Sequence, residues 1–398
     1  MRYRLILFFI LGIDALILFS RIPHISISAS EASLLYDEHS FLSYLIGVSL
    51  EYIDGSDYGL RIMMIFFHIL SALLIYLISK EYLPQTRNRL WLLLMFVLLP
   101  GVVSSALVVS HAGFIIFGLL LFIYLSKKLS PSYMHILALI YALIDVGFAY
   151  LFLGLTIYYL YSKHYLAALY YLCLYFLTSY IYGFDVHGYP SGHFLDTVGV
   201  YSAIFTPIIF IYIFYVLYRR YLTSKIDMLW YISATALLFS LIISFRQRIE
   251  VEHFAPYLII ALPLAAQTFV SSYRVRLKEH RKAYRAIFVL SFVFLVLNTL
   301  IVFFNKELYL YIQNPKKHFA YNMHVAKELA EKLKSIDIKC LYSTNRNMQK
   351  RLHFYKIEEC KANILNELPL KSEKDSNVTI SYKDRVIYRA NVTKLNSK

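Results

Sequence analysis

The side chains best able to do chemistry in this 398-residue chain are acids, histidines and arginines beside long apolar stretches. Glu31 lies in the first polar segment. Asp145 lies inside an apolar stretch, where an ionisable group is costly and indicates a functional site or a partner on a neighbouring helix. Carboxylates and imidazoles can take a proton as general bases, and His111 and His253 border apolar stretches. Arg61, Arg246 and Arg248 are basic residues that also lie beside these stretches.

A pair of histidines suggests a second kind of chemistry. His187 and His193 lie six residues apart in a turn-rich loop, and two imidazoles at this spacing can share a metal ion. No cysteine or third clear ligand accompanies them, so a solvated loop is the favoured interpretation. We therefore predict that the protein binds no metal and needs no cofactor.

The composition indicates what kind of fold holds these residues in place. Hydrophobic residues make up 59% of the chain, charged residues 16%, and the mean hydropathy is +0.55. Soluble domains average about 25% charged residues, and a single soluble core stops growing beyond about 250–300 residues. The composition excludes a disordered chain and a small disulfide scaffold. It predicts a mainly α-helical, multi-pass membrane protein.

Ten apolar stretches alternate with polar loops, and a membrane-spanning helix needs about 20 apolar residues. The stretch 134–161 is long for one crossing and short for two. We therefore predict two short or partly re-entrant helices that meet near Tyr150, and about eleven transmembrane helices in all. The stretches are 3–20, 58–78, 91–110, 113–125, 134–161, 165–183, 201–217, 228–245, 254–271 and 286–304.

The net charge of +15 is explained by where the basic residues lie in a membrane protein, and it does not require a nucleic-acid partner. Lys and Arg concentrate in alternate loops, including 80–89, 127–128, 219–225 and 274–285, whereas the opposite loops hold few. In membrane proteins the cytoplasmic loops carry an excess of Lys and Arg. We therefore expect the N-terminus to lie in the cytoplasm and the candidate site residues to lie on the outer face. We predict a protein of the cell inner (plasma) membrane that contacts membrane lipids and no nucleic acid.

Hydropathy falls after residue 305 and divides the chain. We predict a transmembrane domain at 1–305, with outer loops at 21–57 and 184–200, and a small periplasmic or extracellular α/β domain at 314–398. Apolar spacing in this last segment predicts a helix within 321–335, a strand at 336–342, a short helix at 348–355 and two strands at 378–382 and 386–389.

Cys340 and Cys360 lie in the C-terminal segment. On the oxidising side of a membrane they can form a disulfide. Two buried free thiols on adjacent strands are an equally good interpretation, and the sequence leaves both open.

Several motifs within residues 1–305 resemble a known family. Ser30-Glu31-Ala32 lies in the first outer loop, and Gly55-Ser56-Asp57-Tyr58-Gly59-Leu60-Arg61 opens the second apolar stretch. They resemble the N-terminal motifs of the GT-C membrane glycosyltransferases, specifically glycosyltransferase family 39, which includes protein O-mannosyltransferases and ArnT-like aminoarabinose transferases. Looser agreement follows at Leu99-Pro100-Gly101 and across 252–265.

This resemblance implies a GT-C fold and the transfer of a sugar from a polyprenyl-phosphate-linked donor to a lipid or protein acceptor on the outer face. Because Glu31 matches the family's acidic motif, the resemblance implies that Glu31 is the catalytic base, with His111 or Asp145 assisting. The cationic set expected to bind the donor's phosphate is Arg61, Arg246, Arg248 and His253.

Two alternatives stay open. The family's loop carries an acid pair, and Ser30 replaces the first acid here, as it would in a catalytically inactive GT-C relative that acts in envelope glycan assembly. A lipid-linked sugar flippase or transporter is less favoured, because transporters are built from internal repeats with discontinuous helices, and the sequence shows no such repeats.

Overall fold

The computed structural model describes residues 2–53, 55–183, 191–368 and 378–394. The chain divides into two compact units, and α1, α4 and α16 each contribute to both. Unit 1 comprises Met1–Leu18 and Met64–Thr299, and unit 2 comprises Phe19–Met63 and Leu300–Lys398. The helices are α1 (Arg2–Arg21), α2 (Ala29–Tyr36), α3 (Phe41–Tyr52), α4 (Asp57–Ile78), α5 (Thr86–Val97), α6 (Pro100–Leu107), α7 (His111–Ser126), α8 (Pro131–Ile144), α9 (Ala149–Tyr161), α10 (Tyr165–Tyr182), α11 (Phe194–Phe205), α12 (Pro207–Leu222), α13 (Met228–Ser244), α14 (Val251–Ile259), α15 (Leu262–Val275), α16 (Lys278–Phe303), α17 (Ala326–Ser335) and α18 (Arg346–Phe354).

Unit 1 holds helices and no strand among its described residues. Proline stands in the first turn of four of these helices, where the lost N–H would have no intrahelical partner and the fixed φ favours the helix. These prolines are Pro100, Pro131, Pro207 and Pro263.

Five helical segments of the described chain are long and apolar enough to cross a membrane, or up to seven if two bent helix pairs each count as one crossing. The bend is 59° between α5 and α6 and 106° between α11 and α12. Shorter apolar helices such as the 16-residue α7 are about 24 Å long, against a hydrocarbon core of about 30 Å. The multi-pass character is confirmed, while eleven passes and their orientation stay predictions. The five segments are Tyr3–His24, Asp57–Ile78, Tyr165–Tyr182, Val251–Val275 and Glu279–Phe303.

The apolar stretch 134–161 forms two short helices that are separated at Asp145, five residues before Tyr150. Helix α8 ends at Ile144, and one 3-10 turn, Val146–Phe148, precedes α9. The Asp145 carboxylate caps this turn, because its Oδ1 accepts the N–H of Gly147 at 2.7 Å. A Cβ at position 147 would overlap the side chain of Ile115 in α7, so the close approach of the turn to α7 requires glycine.

Unit 2 contains a four-stranded sheet with strand order β1-β2-β4-β3. Strand β1 pairs parallel with β2, and the other two pairs are antiparallel. Cys340 and Cys360 form a disulfide between β1 and β2. Of the two alternatives that the sequence left open, a disulfide or two free thiols, the structure has the disulfide. The strands are β1 (Cys340–Ser343), β2 (Glu358–Glu367), β3 (Val378–Tyr382) and β4 (Arg385–Lys394).

Unit 2 also includes residues 21–57, the segment predicted to be the first outer loop. Helix α2 packs against α18, and the Ser26 N–H donates to the carbonyl of Met323 at 2.8 Å. An apolar core that includes Leu329, Leu341 and Leu352 lies between the sheet and helices α17 and α18. The small α/β fold predicted for the C-terminal segment is therefore present, and residues of the first loop complete its unit.

Candidate functional site

Glu31 and Arg61 form a fully buried ion pair in unit 2. Ser28 and Glu31 make a capping box at the start of α2, in which Glu31 Oε2 accepts the Ser28 N–H at 2.8 Å. The same oxygen accepts Arg61 Nη2 at 3.1 Å, and both side chains are 0% exposed. Arg61 also donates to the carbonyls of Ile25 and Ser26 at 3.0 and 3.1 Å. In this structure the guanidinium predicted to bind phosphate therefore serves protein groups.

Asp57 extends this pair into a balanced network. It lies one helical turn before Arg61, with Oδ1 3.8 Å from Nη1, and it accepts Lys327 Nζ at 2.7 Å and the Tyr355 hydroxyl at 2.8 Å. Burial, followed by the Asp57 charge, raises the pKa of Tyr355, so its hydroxyl stays protonated. Two carboxylates thus face two cations. We call Glu31, Asp57, Arg61, Lys327 and Tyr355 the Glu31–Arg61 cluster.

His111 and Asp145, predicted separately, lie together in unit 1. Asp145 Oδ2 is 2.6 Å from His111 Nδ1, while Oδ1 holds the capped turn. The Asp145 side chain is 2% exposed and that of His111 is 19% exposed. Because a carboxylate only accepts, Nδ1 carries the donated hydrogen, and a neutral imidazole then has its basic lone pair on Nε2. This is how an acid orients a histidine for general-base chemistry.

A second histidine and a second acid adjoin this pair. The His253 ring lies 6.0 Å from the His111 ring, centroid to centroid, and His253 Nδ1 is 3.3 Å from Glu250 Oε2. The Glu252 carboxylate is hydrogen-bonded to the backbone N–H of His111. We call His111, Asp145, Glu252 and His253 the His111–Asp145 cluster.

Arg246 and Arg248 lie in the segment that joins α13 to α14, close in sequence to His253, and both are exposed. The carbonyl of Arg246 accepts the Ser191 N–H at 2.8 Å, so the residues before α11 pair with this segment. Within the described residues, neither guanidinium forms an ion pair with an acid.

The two-histidine metal hypothesis lies partly outside the described residues. His187 lies outside them, and the His193 ring bonds Ser191 Oγ at 2.8 Å and Asp196 at 3.1 Å. No group of three or more His, Cys, Asp or Glu side chains in the described parts of the chain is arranged to hold a metal ion.

Sequence reasoning missed part of both clusters. Lys327 and Tyr355 reach Asp57 across 270 and 298 residues, so no local pattern could reveal them. Asp57 carried a signal, because it stands four residues before Arg61, the spacing of an ion pair on one helix face. Glu252 directly precedes His253 and could have been proposed with it.

The fold has a known counterpart. A crystal structure titled ArnT from Cupriavidus metallidurans in the apo state covers 86% of this chain and 83% of its own, at 12% identity and a TM-score of 0.54. The chain thus shares the fold of this ArnT structure, in agreement with the sequence resemblance, whereas membership of the GT-C glycosyltransferases and of family 39 stays a prediction. No family model and no curated protein sequence matches the chain.

Proposed function

We propose that this protein is a membrane glycosyltransferase that moves a sugar from a polyprenyl-phosphate-linked donor to a lipid or protein acceptor on the outer face of the cell membrane. The observation that carries the proposal is the His111–Asp145 pair, an oriented and partly exposed imidazole in unit 1. The ArnT-like fold supports a glycosyltransferase-type chain that works in the membrane.

In this mechanism His111 is the general base. Asp145 holds the Nδ1–H and stabilises the imidazolium, so Nε2 can take the proton of the acceptor's hydroxyl or amino group as that atom attacks the sugar's anomeric carbon. The bond between the anomeric carbon and the phosphate oxygen breaks, and its electron pair leaves with the polyprenyl phosphate. His253 lies close enough to His111 to add positive charge when protonated.

The leaving phosphate needs cations. Arg246 and Arg248 are exposed in the segment that leads into α14, and guanidinium groups match phosphate oxygens with parallel donors. Helices α7, α11 and α14 begin in this region, and helix N-termini carry partial positive charge that favours anions. A phosphate could therefore be neutralised here without a metal ion.

The Glu31–Arg61 cluster receives a structural role in this proposal. A catalytic base must exchange protons with a substrate, and Glu31 is buried against Arg61 and the Ser28 N–H. The prediction that Glu31 is the base and Arg61 a phosphate ligand is the competing assignment. Mutation distinguishes the two assignments.

The first test is sugar transfer in proteoliposomes with a panel of radiolabelled polyprenyl-phosphate sugars. His111→Asn should lower kcat by about 10²–10⁴-fold, the usual contribution of a general base. The exposed His164 at the start of α10 provides the control, and His164→Asn should keep wild-type transfer. Wild-type transfer by His111→Asn, together with loss in a folded Glu31→Gln protein, would return the base role to Glu31.

A second test addresses the phosphate. The double variant Arg246→Ala, Arg248→Ala should raise the donor KM by about tenfold, since each 1.4 kcal/mol of lost binding is a factor of ten. Arg87→Ala removes an exposed cation elsewhere and should leave KM unchanged. An unchanged KM in the double variant would remove both arginines from the site. No transfer from any donor would favour the inactive relative.

A further inference from the structure

Unit 1 contains a cavity of about 530 Å³ that the proposed reaction does not use. It is lined by residues from the turn after α4, the α7–α8 turn, α9, α10, α13 and α15. Pockets of roughly 300–1,000 Å³ are typical of small-molecule sites. The exposed residues Lys127, Leu129 and Pro131 line it at the α7–α8 turn, so it can be reached from the surface there.

The cavity and the His111–Asp145 cluster lie at opposite ends of the same helices. Helix α7 begins at His111 and ends beside the cavity at Ser126, about 24 Å away along the axis. Helix α13 likewise begins at the cavity with Met228 and ends at Ser244, next to the segment with Arg246. A ligand in the cavity would therefore be a second ligand, separate from the reacting groups.

Five aromatic side chains belong to the wall, namely Tyr82, Tyr158, Tyr159, Tyr171 and Phe122. Tyr171 and Phe122 are 1% exposed. The aromatic surface open to a ligand therefore comes from the half-buried Tyr82, Tyr158 and Tyr159. The Tyr159 and Tyr171 rings are stacked, with centroids 5.3 Å apart and planes 5° from parallel, and Tyr158 meets Tyr159 edge-on at 5.1 Å. Tyrosine combines an apolar face with a hydroxyl that hydrogen-bonds. Such a wall fits a ligand that is a ring with C–H faces and several polar groups.

Two carboxylates and one cation line the cavity, and each of them already has a protein partner. Lys127 forms an ion pair with Glu81. Asp227 caps α13, because Oδ1 accepts the Trp230 N–H at 3.0 Å, and its Oδ2 accepts the Tyr82 hydroxyl at 2.6 Å. Gln267 is hydrogen-bonded to Arg220. Arg220, which bonds to Gln267, also interacts electrostatically with Asp227. A charged ligand would have to compete with these protein contacts, whereas a neutral ligand with hydroxyl groups can bond to these side chains as they stand.

We propose that this cavity binds a neutral glycosyl ring, which stacks on Tyr158 and Tyr159 and hydrogen-bonds to the polar groups around it. The ring can come from two sources, a free sugar or the headgroup of a glycolipid. The proposal does not depend on the proposed transfer reaction, because it rests on a cavity at the other end of the unit and is tested by binding alone.

Four probes test the proposal on the full chain in lipid nanodiscs by saturation-transfer NMR. Hexyl β-glucoside, hexyl phosphate and hexyltrimethylammonium share one alkyl chain and differ in headgroup, and free glucose lacks the chain. We expect the glucoside to bind with the lowest Kd of the three amphiphiles. Glucose binding at a similar Kd identifies a free sugar as the ligand, and binding by the glucoside alone identifies a glycolipid. Tighter binding of either charged amphiphile overturns the proposal.

Two variants test whether the glucoside binds in this cavity. Tyr159→Leu removes a stacking face, and we expect the glucoside Kd to rise about tenfold. Leu129→Trp changes an exposed lining residue and narrows the cavity without removing a polar group, so it should weaken binding even if Tyr159→Leu proves unstable. Tyr161→Leu, two residues on in α9 and 66% exposed outside the cavity, is the matched control. If Tyr161→Leu weakens glucoside binding by the same factor, the glucoside does not bind in the cavity but partitions into the bilayer, and the proposal is wrong.

Discussion

The two clusters show how differently one chain uses acids and cations. In the Glu31–Arg61 cluster the central acid and cation are 0% exposed and their hydrogen bonds go to protein groups. In the His111–Asp145 cluster the acid is buried but the imidazole is partly exposed, and exposed arginines lie nearby in sequence. The buried arrangement of the first cluster is suited to stabilising the fold, and the partly exposed imidazole of the second is suited to contacting a substrate. A family motif therefore identifies a position more readily than it identifies a role.

The largest expected effect comes from breaking the buried pair. Arg61→Met leaves the Glu31 carboxylate buried without its cation, and the loss of one partner of a buried pair costs about 3–5 kcal/mol. We expect this loss in the free energy of unfolding of unit 2, measured by amide hydrogen exchange in β4 of the full-length protein. Arg61→Lys keeps the charge and should lose less.

One result would reverse the comparison between the clusters. If Arg61→Met keeps wild-type exchange protection in unit 2 but loses sugar transfer, then Arg61 acts on the donor. The family-based assignment of Arg61 would in that case be correct, and the Glu31–Arg61 cluster would be a substrate site.

A smaller effect is expected from the disulfide. Cys340→Ser combined with Cys360→Ser opens a link between residues 20 apart, and closing a loop of this size stabilises a fold by about 3 kcal/mol. Exchange in β1 and β2 should accelerate by the corresponding factor, while helices of unit 1 keep their protection. The Cys173→Ser variant, which removes the exposed free cysteine of α10, should change neither unit. Equal acceleration in unit 1 would show that the two units do not open separately.

The sequence predicts the local elements of unit 2 well and its long-range pairs poorly. The alternating pattern correctly predicts β3 and β4, and the four-residue apolar spacing predicts α17. Strand β2 was missed because only Leu365 in it is fully buried. Its sequence therefore lacks the alternation of apolar and polar residues that predicts a strand. Strand β1 begins at Cys340, after the predicted start at 336, because Asp337 has a φ of 58° and turns the chain. His111 and Asp145 were both found by type, but their pairing required the fold.

Acid should destabilise unit 2 through a buried histidine, His324. In unit 2 the Tyr309 hydroxyl donates to His324 Nδ1, and His324 Nε2–H donates to Asn305 Oδ1, both at 3.0 Å. This arrangement holds the neutral imidazole. Burial, then Lys306 and His318, lowers the pKa of His324 to about 3 from its usual 6.5. The stability of unit 2 from this group is therefore fully present above about pH 6.5 and is lost as the pH falls from there toward 3.

At pH 5 the loss from His324 should be about 2 kcal/mol, because the unfolded chain is protonated and the folded one is not. His324→Gln can donate and accept in the same places without titrating, so its exchange rates in β4 should depend less on pH between 7 and 5. The exposed His39 of the same unit is the control, and His39→Gln should keep the wild-type dependence. This pair of variants separates a weakened unit 2 from an effect of acid elsewhere in the chain. If sugar transfer by His324→Gln falls with acid just as in the wild type, the loss of activity in acid does not come from His324.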